Sequence, residues 1–257
     1  MPSASRLNSD RGVHRPAWST VLQLVTALAF ATSAVHASTI NVPGGQPTIQ
    51  AAINAASPGD VVIVAAGTYY ENLTLTLPMS LTLQGAQQGV PACDRVALET
   101  IVQAANVNSP VLDIRSGAGL GLVIDGFTFD SGGGNPIACV RQRLGATPGL
   151  QFLNNRLLGF QNSGLAFNSS ADDAIIRGND IDGSTTNASG SLLFLSTNTY
   201  NGIQIVQNCL HNSHLYGWFV DGNRNVGIGT NPAVIMQNTF KANNTGANTG
   251  SRSLLSA

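Results

Sequence analysis

The chain is poor in charged residues. Only 10% of its 257 residues are Asp, Glu, Lys or Arg, against about 25% in an ordinary globular domain. A single lysine, Lys241, accompanies 11 arginines, and the formal net charge is -1. This balance lacks the basic surface that nucleic acids attract, so we expect no nucleic-acid partner. Hydrophobic residues still make up 43% of the chain, which excludes an intrinsically disordered protein.

The sequence also lacks an uninterrupted apolar run of the ~20 residues that span a bilayer. Its most apolar stretch, residues 17–35, is broken by several Ser, Thr and Gln residues. Three arginines precede this stretch, and it ends in Val35-His36-Ala37. A positively charged N-terminal region, a short apolar segment and a cleavage site with small residues two positions apart are typical of a secretory signal peptide. We therefore predict a signal peptide at residues 1–37, in preference to a membrane anchor, and a secreted or periplasmic protein with no membrane span after its removal.

Cysteine is scarce as well. Cys93, Cys139 and Cys209 make an odd number, and none lies in the Cys-x-x-Cys spacing of metal or redox motifs. An oxidising compartment permits a disulfide. The sequence is compatible with one bridge and one buried thiol, and equally with no bridge. No catalytic role is expected of the three cysteines.

Gly and Asn, in contrast, are abundant, with 28 and 24 residues. Asn recurs in a repeat that has an apolar residue three positions before it and another two positions after it. Four units fit the repeat, and a fifth fits if Phe127 takes the Asn position; the spacings are 28, 24, 29 and 30 residues. The four repeated asparagines are Asn155, Asn179, Asn208 and Asn238.

Two short apolar strands per unit, separated by Gly and Asn turns, indicate a coil of β-structure that stacks on its neighbours. Stacked asparagines can hydrogen-bond to one another in a ladder that satisfies buried amides. A leucine-rich repeat also carries a recurring Asn, but the Leu-x-x-Leu-x-Leu run and the helical stretch are missing. We predict an all-β solenoid, a parallel β-helix of roughly eight coils with ~28 residues each.

A solenoid exposes its core at each end and therefore needs a terminal cap. Residues 46–56 have the pattern of a short helix, with Thr48 placed as its N-cap and Ile49, Ala52, Ile53 and Ala56 on one face. The segment Ser57-Pro58-Gly59-Asp60 ends it. We predict an N-terminal capping helix for the β-helix domain, which we place at residues 38–245.

This opening resembles a known group of proteins. The resemblance rests on Gly59-Asp60-Val61-Val62-Ile63-Val64 and Gly67-Thr68-Tyr69-Tyr70-Glu71-Asn72. Both segments are similar to the start of right-handed parallel β-helix proteins of the pectin-lyase-like superfamily. The resemblance implies a three-sheeted, right-handed β-helix. It implies no single activity, because this fold carries lyases, hydrolases, methylesterases, tailspikes and adhesins.

The motifs of the enzymes in that superfamily are missing. The chain has no polygalacturonase-like Gly-Asp-Asp, Gly-His-Gly or Arg-x-Lys, no methylesterase-like Gly-x-x-Asp-Phe-x-x-Gly and no pectate-lyase-like Trp-x-Asp-His. We therefore predict a non-catalytic protein, either carbohydrate-binding or surface-structural, with carbohydrate as its partner. The alternative is an extracellular polysaccharide lyase or glycoside hydrolase that acts on acidic polysaccharide.

One group of residues could carry that alternative chemistry. If the ladder asparagines stack in register, the residues that follow them form columns on the outside of the coil. The first column contains Arg156 and Asp180, and the second contains Asp182, His211 and Lys241. Arg156 and His211 are the candidate catalytic residues, and Asp180 and Asp182 are candidate ligands for calcium, the one cofactor considered. The alternative interpretation is that all five are scattered solvated residues.

Two further predictions concern binding. Lys241 and Trp218 are the candidate substrate-binding residues, although Trp218 also suits the inside of the coil. Residues 246–257 form a polar C-terminal tail with no clear cap for the last coil. Unpaired strand edges are sites of association, which makes homotypic stacking at the C-terminal end a further hypothesis.

Overall fold

The structure is a computed structural model, and its described residues are 37–76, 80–93, 95–115, 121–185, 190–196, 200–214, 216–220, 232–241 and 255–256. The backbone alone is described for 216–220 and 255–256. The predicted signal peptide lies outside the described residues apart from Ala37. Within the described residues, no helix has both the length and the apolar character needed to cross a membrane.

The chain winds through three parallel sheets, which confirms the predicted all-β, three-sheeted parallel β-helix. Each coil visits sheet A, then sheet B, then sheet C. The strands described for sheet A are β1 (Thr39–Val42), β2 (Val61–Val64), β5 (Thr82–Gln84), β8 (Val123–Asp125), β11 (Gln151–Leu153), β14 (Ile175–Arg177), β17 (Gln204–Val206) and β20 (Val234–Met236).

Sheets B and C repeat the same stacking. The strands described for sheet B are β3 (Gly67–Tyr70), β6 (Thr100–Gln103), β9 (Phe127–Asp130), β12 (Arg156–Leu158), β15 (Asp180–Asp182), β18 (Cys209–His211) and β21 (Thr239–Lys241). Those of sheet C are β4 (Leu73–Leu75), β7 (Leu112–Arg115), β10 (Ala138–Arg143), β13 (Ser163–Phe167), β16 (Ser191–Leu195), β19 (Tyr216–Val220) and β22 (Leu255–Ser256). The last of these pairs with β19, so the predicted polar tail includes a short strand.

The core is built from the inward side chains of the strands. In sheet A, six of these residues from β2 to β17 are register partners from coil to coil and are at most 1% exposed: Val62, Leu83, Ile124, Phe152, Ile176 and Ile205. Four of them are the apolar residues that the repeat places three positions before the Asn or before Phe127. Complete burial of one such side chain stabilises the fold by about 1.5–3 kcal/mol.

The corner between sheets A and B has two consecutive special positions. The first residue has a left-handed backbone, with φ between 51° and 80°, in Gly126, Asn154, Gly178, Gln207 and Gln237. At Gly126 a Cβ atom would collide with the backbone of Gln87 and Gln88, so glycine is required there for space as well. The second residue is the repeated Asn, and its inward side chain joins one coil to the next.

The asparagines at this corner form a hydrogen-bonded ladder. The Oδ1 atom of Asn179 accepts from the backbone N–H of Asn155, and the Oδ1 of Asn208 accepts from that of Asn179, at 2.9 and 3.0 Å. Asn238 does the same for Asn208 at 3.0 Å. Phe127 occupies the next position, where its N–H donates to Asn155 Oδ1 at 3.0 Å. The ladder satisfies amides that would otherwise be buried without partners.

The predicted N-terminal helix is present as α1 (Ile49–Ala55), shorter than the sequence pattern at both ends. Thr48 is its N-cap and accepts a hydrogen bond from Ala51 N–H, as predicted. Ile49, Ala52 and Ile53 are buried against the first coil. The Glu71 carboxylate accepts the N–H groups of Ile49 and Gln50, both at 2.9 Å, which ties the cap to the body.

Candidate functional site

The outer face of sheet B brings together most of the residues singled out from the sequence. The strand register pairs Arg156 with Asp180, Asp182 with His211, and His211 with Lys241. Asp180 and His211 therefore lie on one face of the sheet, and their side chains are hydrogen-bonded at 2.6 Å. The structure thus collects these residues into one cluster.

His211 has protein partners at both ring nitrogens. Its Nε2 is 2.6 Å from Asp180 Oδ1, and its Nδ1 is 2.9 Å from the amide nitrogen of Asn212. An imidazole that donates from Nε2 to Asp180 and accepts at Nδ1 from Asn212 satisfies all of these contacts. The hydrogen bond that His211 donates to the Asp180 carboxylate raises the pKa of His211, against the opposing effect of burial. The ring is held by its neighbours rather than presented to a ligand.

Arg156 fastens a neighbouring loop to this cluster. Its Nε donates to Asp180 Oδ2 at 3.0 Å, and its Nη2 donates to the carbonyl oxygens of Ala92 and Arg95 at 3.1 and 3.0 Å. Those two carbonyls belong to residues 85–99, the connection between β5 and β6, which crosses the outer face of sheet B. We call this connection the strap; Asp94 within it lies outside the described residues.

A second arginine holds the strap from its own side. Arg95 donates to both oxygens of Glu99 at 2.8 and 2.7 Å, and to the carbonyls of Val90 and Asn154 at 3.0 and 2.8 Å. Its side chain is 1% exposed. Glu99 also lies 3.8 Å from Arg156. Arg95, Glu99, Arg156, Asp180 and His211 thus form one continuous network of alternating charge, which we call the strap network.

The cysteines decide between the two alternatives that the sequence left open. Cys93, in the strap, is bonded to Cys209 of β18, across 116 residues of sequence. Cys139 is a buried free thiol. Burial raises the pKa of Cys139 to about 12, so it is unreactive at neutral pH.

A cavity of about 350 Å³ lies at the end of the strap. It is lined by Cys93, Arg156, Asp180, Cys209, His211, Thr239 and Lys241. Volumes of about 300–1,000 Å³ are usual for ligand sites. Lys241 is exposed at its rim. The catalytic roles of Arg156 and His211 and the binding role of Lys241 stay predictions.

Two other residues of the predicted site are Trp218 and Asp182. The backbone of Trp218 pairs with Leu193 in sheet C, away from this cavity, and its side chain lies outside what the structure describes. Asp182 Oδ1 is 3.7 Å from His211 Nδ1 and accepts from the Asn212 amide at 2.9 Å. Within the described residues, no group of three or more His, Cys, Asp or Glu side chains is arranged to hold a metal ion. The calcium site at Asp180 and Asp182 stays a prediction.

Sheet C carries a second charged group, which the sequence reasoning missed. The register of β7 and β10 pairs Asp113 with Arg141 and Arg115 with Arg143, so all four residues lie on the outer face. Arg143 donates to both Asp113 oxygens at 2.8–3.2 Å, and Arg115 donates to Oδ2 at 2.8 Å. Arg141 donates to Asn168 at 3.2 Å. We call Asp113, Arg115, Arg141 and Arg143 the arginine patch.

The arginine patch has more positive than negative charge. Burial of the Asp113 carboxyl favours its neutral form, but hydrogen bonds from Arg143 and Arg115 outweigh that effect and lower its pKa. Burial, with repulsion from Arg143, lowers the pKa of Arg141, although an arginine remains protonated at neutral pH. The side chains of Arg115 and Arg143 are 45% and 28% exposed, whereas that of Asp113 is 5% exposed. Asp113 therefore bonds two guanidinium groups, both of which reach solvent, and the third guanidinium of the arginine patch bonds Asn168.

The arginine patch could have been recognised from the spacing of its residues in the sequence. Asp113-Ile114-Arg115 and Arg141-Gln142-Arg143 are 28 residues apart. The same spacing separates Phe127 from Asn155, one coil further along. The residues that follow the ladder asparagines belong to sheet B. The predicted site was limited to these columns, so it did not include the corresponding columns of sheet C.

Comparisons with known proteins do not assign this chain to a family. No protein-family model matches the chain, and no curated protein matches it in sequence. The crystal structure of Escherichia coli YbhC is similar over 93% of this chain and 76% of that chain, with 13% identity and a TM-score of 0.39. The fold assignment therefore rests on the sheets and register of this chain itself.

Proposed function

We propose that this protein is an exported, non-catalytic β-helix protein of the pectin-lyase-like superfamily that binds acidic carbohydrate through the arginine patch. The observation that carries the binding role is the excess of guanidinium groups over carboxylates on the outer face of sheet C. The resemblance of residues 59–72 supports the superfamily, and the apolar segment before Ala37 supports export.

The chemistry of the arginine patch suits a carboxylated ligand. Arginine presents planar donors that match a carboxylate in pairs. The Asp113 carboxylate orients Arg115 and Arg143 through hydrogen bonds and leaves part of each guanidinium exposed. Pre-orientation lowers the entropy lost when a ligand binds. Two guanidinium groups are thus ready for an anion from solvent.

The shape of the face suits a long, linear ligand. Neighbouring coils are ~4.8 Å apart, so Arg115 and Arg143 repeat at that interval along the solenoid axis. The Arg141 column continues through Ala166 to Phe194, which is half-buried on the same face. An aromatic ring beside cations offers a surface for the apolar side of a sugar ring. A polysaccharide that lies along the axis would contact both features.

The same geometry favours binding over catalysis. Asp113 is the one carboxylate that bonds these arginines among the described residues, and its lowered pKa keeps it ionised at neutral pH. A general acid or base needs a pKa near the working pH. The absence of the lyase and hydrolase motifs from the sequence points in the same direction.

The alternative function has one observation in its favour. The Asp180–His211 pair, with Arg156 beside it, borders a cavity of about 350 Å³. If the protein is a polysaccharide lyase or glycoside hydrolase that acts on acidic polysaccharide, that cavity is its active site. Lys241 would then contact the substrate.

Binding to polygalacturonate, measured by affinity gel electrophoresis, tests the proposal. Neutral dextran serves as the ligand control. We expect the Arg115→Ala and Arg143→Ala variants each to bind roughly tenfold more weakly, equivalent to about 1.4 kcal/mol. Arg177→Ala is the matched control, because Arg177 is an exposed arginine of sheet A. Equal binding by wild type and both patch variants would contradict the proposal.

The same samples separate the two functions. Incubation of the wild-type protein with polygalacturonate and Ca²⁺ would release unsaturated, ultraviolet-absorbing product if the protein were a lyase, and reducing ends if it were a hydrolase. We expect neither. A product signal that disappears in His211→Ala and persists in Arg143→Ala would instead establish the alternative.

A further inference from the structure

The strap reaches far from the two strands that it joins. It leaves β5 and returns to β6, yet the disulfide fixes Cys93 to β18, four coils further along sheet B. Four coils correspond to about 19 Å. On the way, Ala92 N–H donates to Gly178 O at 2.8 Å. The strap therefore lies along the solenoid axis as a cover over β12 and β15.

Few apolar contacts hold the strap in place. Ala92 is completely buried, but Val90, Val96 and Leu98 are 44%, 95% and 80% exposed. A segment with little buried apolar area opens at low free energy unless specific bonds hold it. Its position therefore depends on hydrogen bonds, including those of Gly89 N–H with Asp125 and of Ala92 N–H with Gly178, on the bonds made by Arg95 and Arg156, and on the disulfide. Of these, the disulfide is the covalent bond, and it fixes the part of the strap that lies furthest from β5 and β6.

The disulfide can be reached from solvent. Cys93 and Cys209 are half-buried, and both border the cavity at the end of the strap. Arg156 and Lys241 line the same cavity, so thiolates formed there would lie close to positive charges, which favour the thiolate form. The free Cys139 is 0% exposed and takes no part in exchange.

We propose that the strap is a redox-released cover: reduction of the Cys93–Cys209 disulfide detaches the strap from β18 and exposes the outer face of sheet B, including Arg156, Asp180 and His211. The reductant is a small dithiol. One of its thiolates attacks a disulfide sulfur and forms a mixed disulfide, and the other protein sulfur leaves as a thiolate. The second thiol of the reductant then closes its own disulfide. Two electrons pass to the protein, which gains two thiols.

Release of the strap changes the environment of the strap network. Arg156 loses the carbonyl oxygens of Ala92 and Arg95 as acceptors and gains water. Asp180, which is 8% exposed under the strap, becomes reachable by a ligand. The ladder and the core remain, because their hydrogen bonds and apolar contacts lie inside the coil. Of these two groups of charges, the oxidised protein would thus leave the arginine patch open and keep Asp180 covered, and the reduced protein would present both.

Limited trypsin digestion of the full chain with and without dithiothreitol tests this proposal. Arg95 is 6% exposed in the strap, so the Arg95–Val96 bond should resist trypsin when the disulfide is intact. After reduction we expect cleavage at this bond to accelerate at least tenfold. Arg115, exposed on sheet C away from the strap, reports on the rest of the solenoid. Its cleavage rate should stay unchanged.

Two variants complete the test. Cys93→Ser should be cleaved after Arg95 without dithiothreitol, at the rate of the reduced wild type. Cys139→Ala is the matched control, because it removes the thiol that is outside the disulfide; its cleavage after Arg95 should still depend on dithiothreitol. If Cys93→Ser does not fold, reduction of the native wild-type protein followed by reoxidation provides the same comparison.

Each result decides the proposal. Faster cleavage at Arg95 alone, reversed by reoxidation, supports a redox-released strap. Unchanged protection of Arg95 in the reduced protein would overturn it, because the arginine bonds would then suffice to hold the strap. Equal acceleration at Arg95 and Arg115 would also overturn it, since the disulfide would then stabilise the whole solenoid rather than one cover.

Discussion

Sheets B and C present charged side chains on their outer faces in two different ways. On sheet B, the charges of the strap network alternate, and Arg95 and Asp180 are almost completely buried. On sheet C, one buried carboxylate lies among three arginines and bonds two of them, both of which reach solvent. The strap covers β12 and β15 of sheet B, whereas Arg115 and Arg143 of sheet C remain partly open.

The difference shows how the same residue types acquire different roles. An ion pair that is buried and fully bonded holds two parts of a protein together, because removal of one partner leaves an uncompensated charge away from water. An unbalanced, partly exposed group of one sign attracts a ligand of the opposite sign. We therefore interpret the strap network as structural and the arginine patch as a binding surface.

The largest expected effect comes from the covered face. Glu99→Gln removes the carboxylate that pairs with Arg95, whose side chain is 1% exposed. A buried guanidinium left without its partner costs about 3 kcal/mol. We expect the free energy of unfolding, measured in urea, to fall by that amount. Asp173→Asn, which removes an exposed carboxylate, is the control and should change it little.

A smaller effect is expected from the matching change on the open face. Asp113→Asn also removes a carboxylate that serves two arginines, but those arginines are 45% and 28% exposed. Water replaces the lost partner in part, so we expect a loss of about 1–2 kcal/mol in the same urea experiment. If Asp113→Asn destabilises the protein as much as Glu99→Gln, the contrast between a covered and an open face is wrong.

The dependence of stability on pH should also differ between the faces. The pKa of His211 is raised by Asp180, with Asp182 acting in the same direction and Lys241 against it. Its stabilising effect is therefore complete below the ordinary pKa of about 6.5 and is lost as the pH rises through the higher folded-state value. The pKa of Asp113 is lowered. Its stabilising effect is present above about pH 3.9 and is lost as the pH falls further.

Urea unfolding across the pH range can separate these two contributions. We expect His211→Gln to remove the decline of stability on the alkaline side and to leave the acid limb unchanged. Asp113→Asn should do the reverse. We expect both changes to be smaller than the effect of Glu99→Gln. A wild-type stability that rises between pH 6 and 8 and stays high would contradict the sign assigned to His211.

Much of the fold could be predicted from the sequence, because the repeat records it directly. Apolar residues at fixed distances from Asn155, Asn179 and Asn208 are the inward side chains of sheets A and B. Thr48 marked the start of the capping helix. The helix is shorter than the pattern because Gln46 N–H bonds back to Asn41 O in a turn, and because the two cap residues, Thr48 and Ala56, have extended backbones.

The candidate site could be predicted only in part. The columns that contain Arg156, Asp180 and His211 followed from the period of the repeat. The burial and ion pairing of these residues could not be predicted, because both depend on Arg95 and Glu99, which lie in a connection outside the repeat. The arginine patch had a visible spacing of 28 residues, but its significance depends on which of four charged groups are exposed.

The sequence by itself determined which residues recur once per coil and therefore stack. A solenoid repeats its local environment, so period and residue type are sufficient to assign inward and outward positions. Only the tertiary structure decided which outward positions are covered, because the strap brings Cys93 against Cys209 across 116 residues. The path of the strap depends on long-range contacts that have no counterpart in the repeat. Because of that path, the charged residues under the strap on sheet B are covered, whereas those of the arginine patch on sheet C are exposed to solvent.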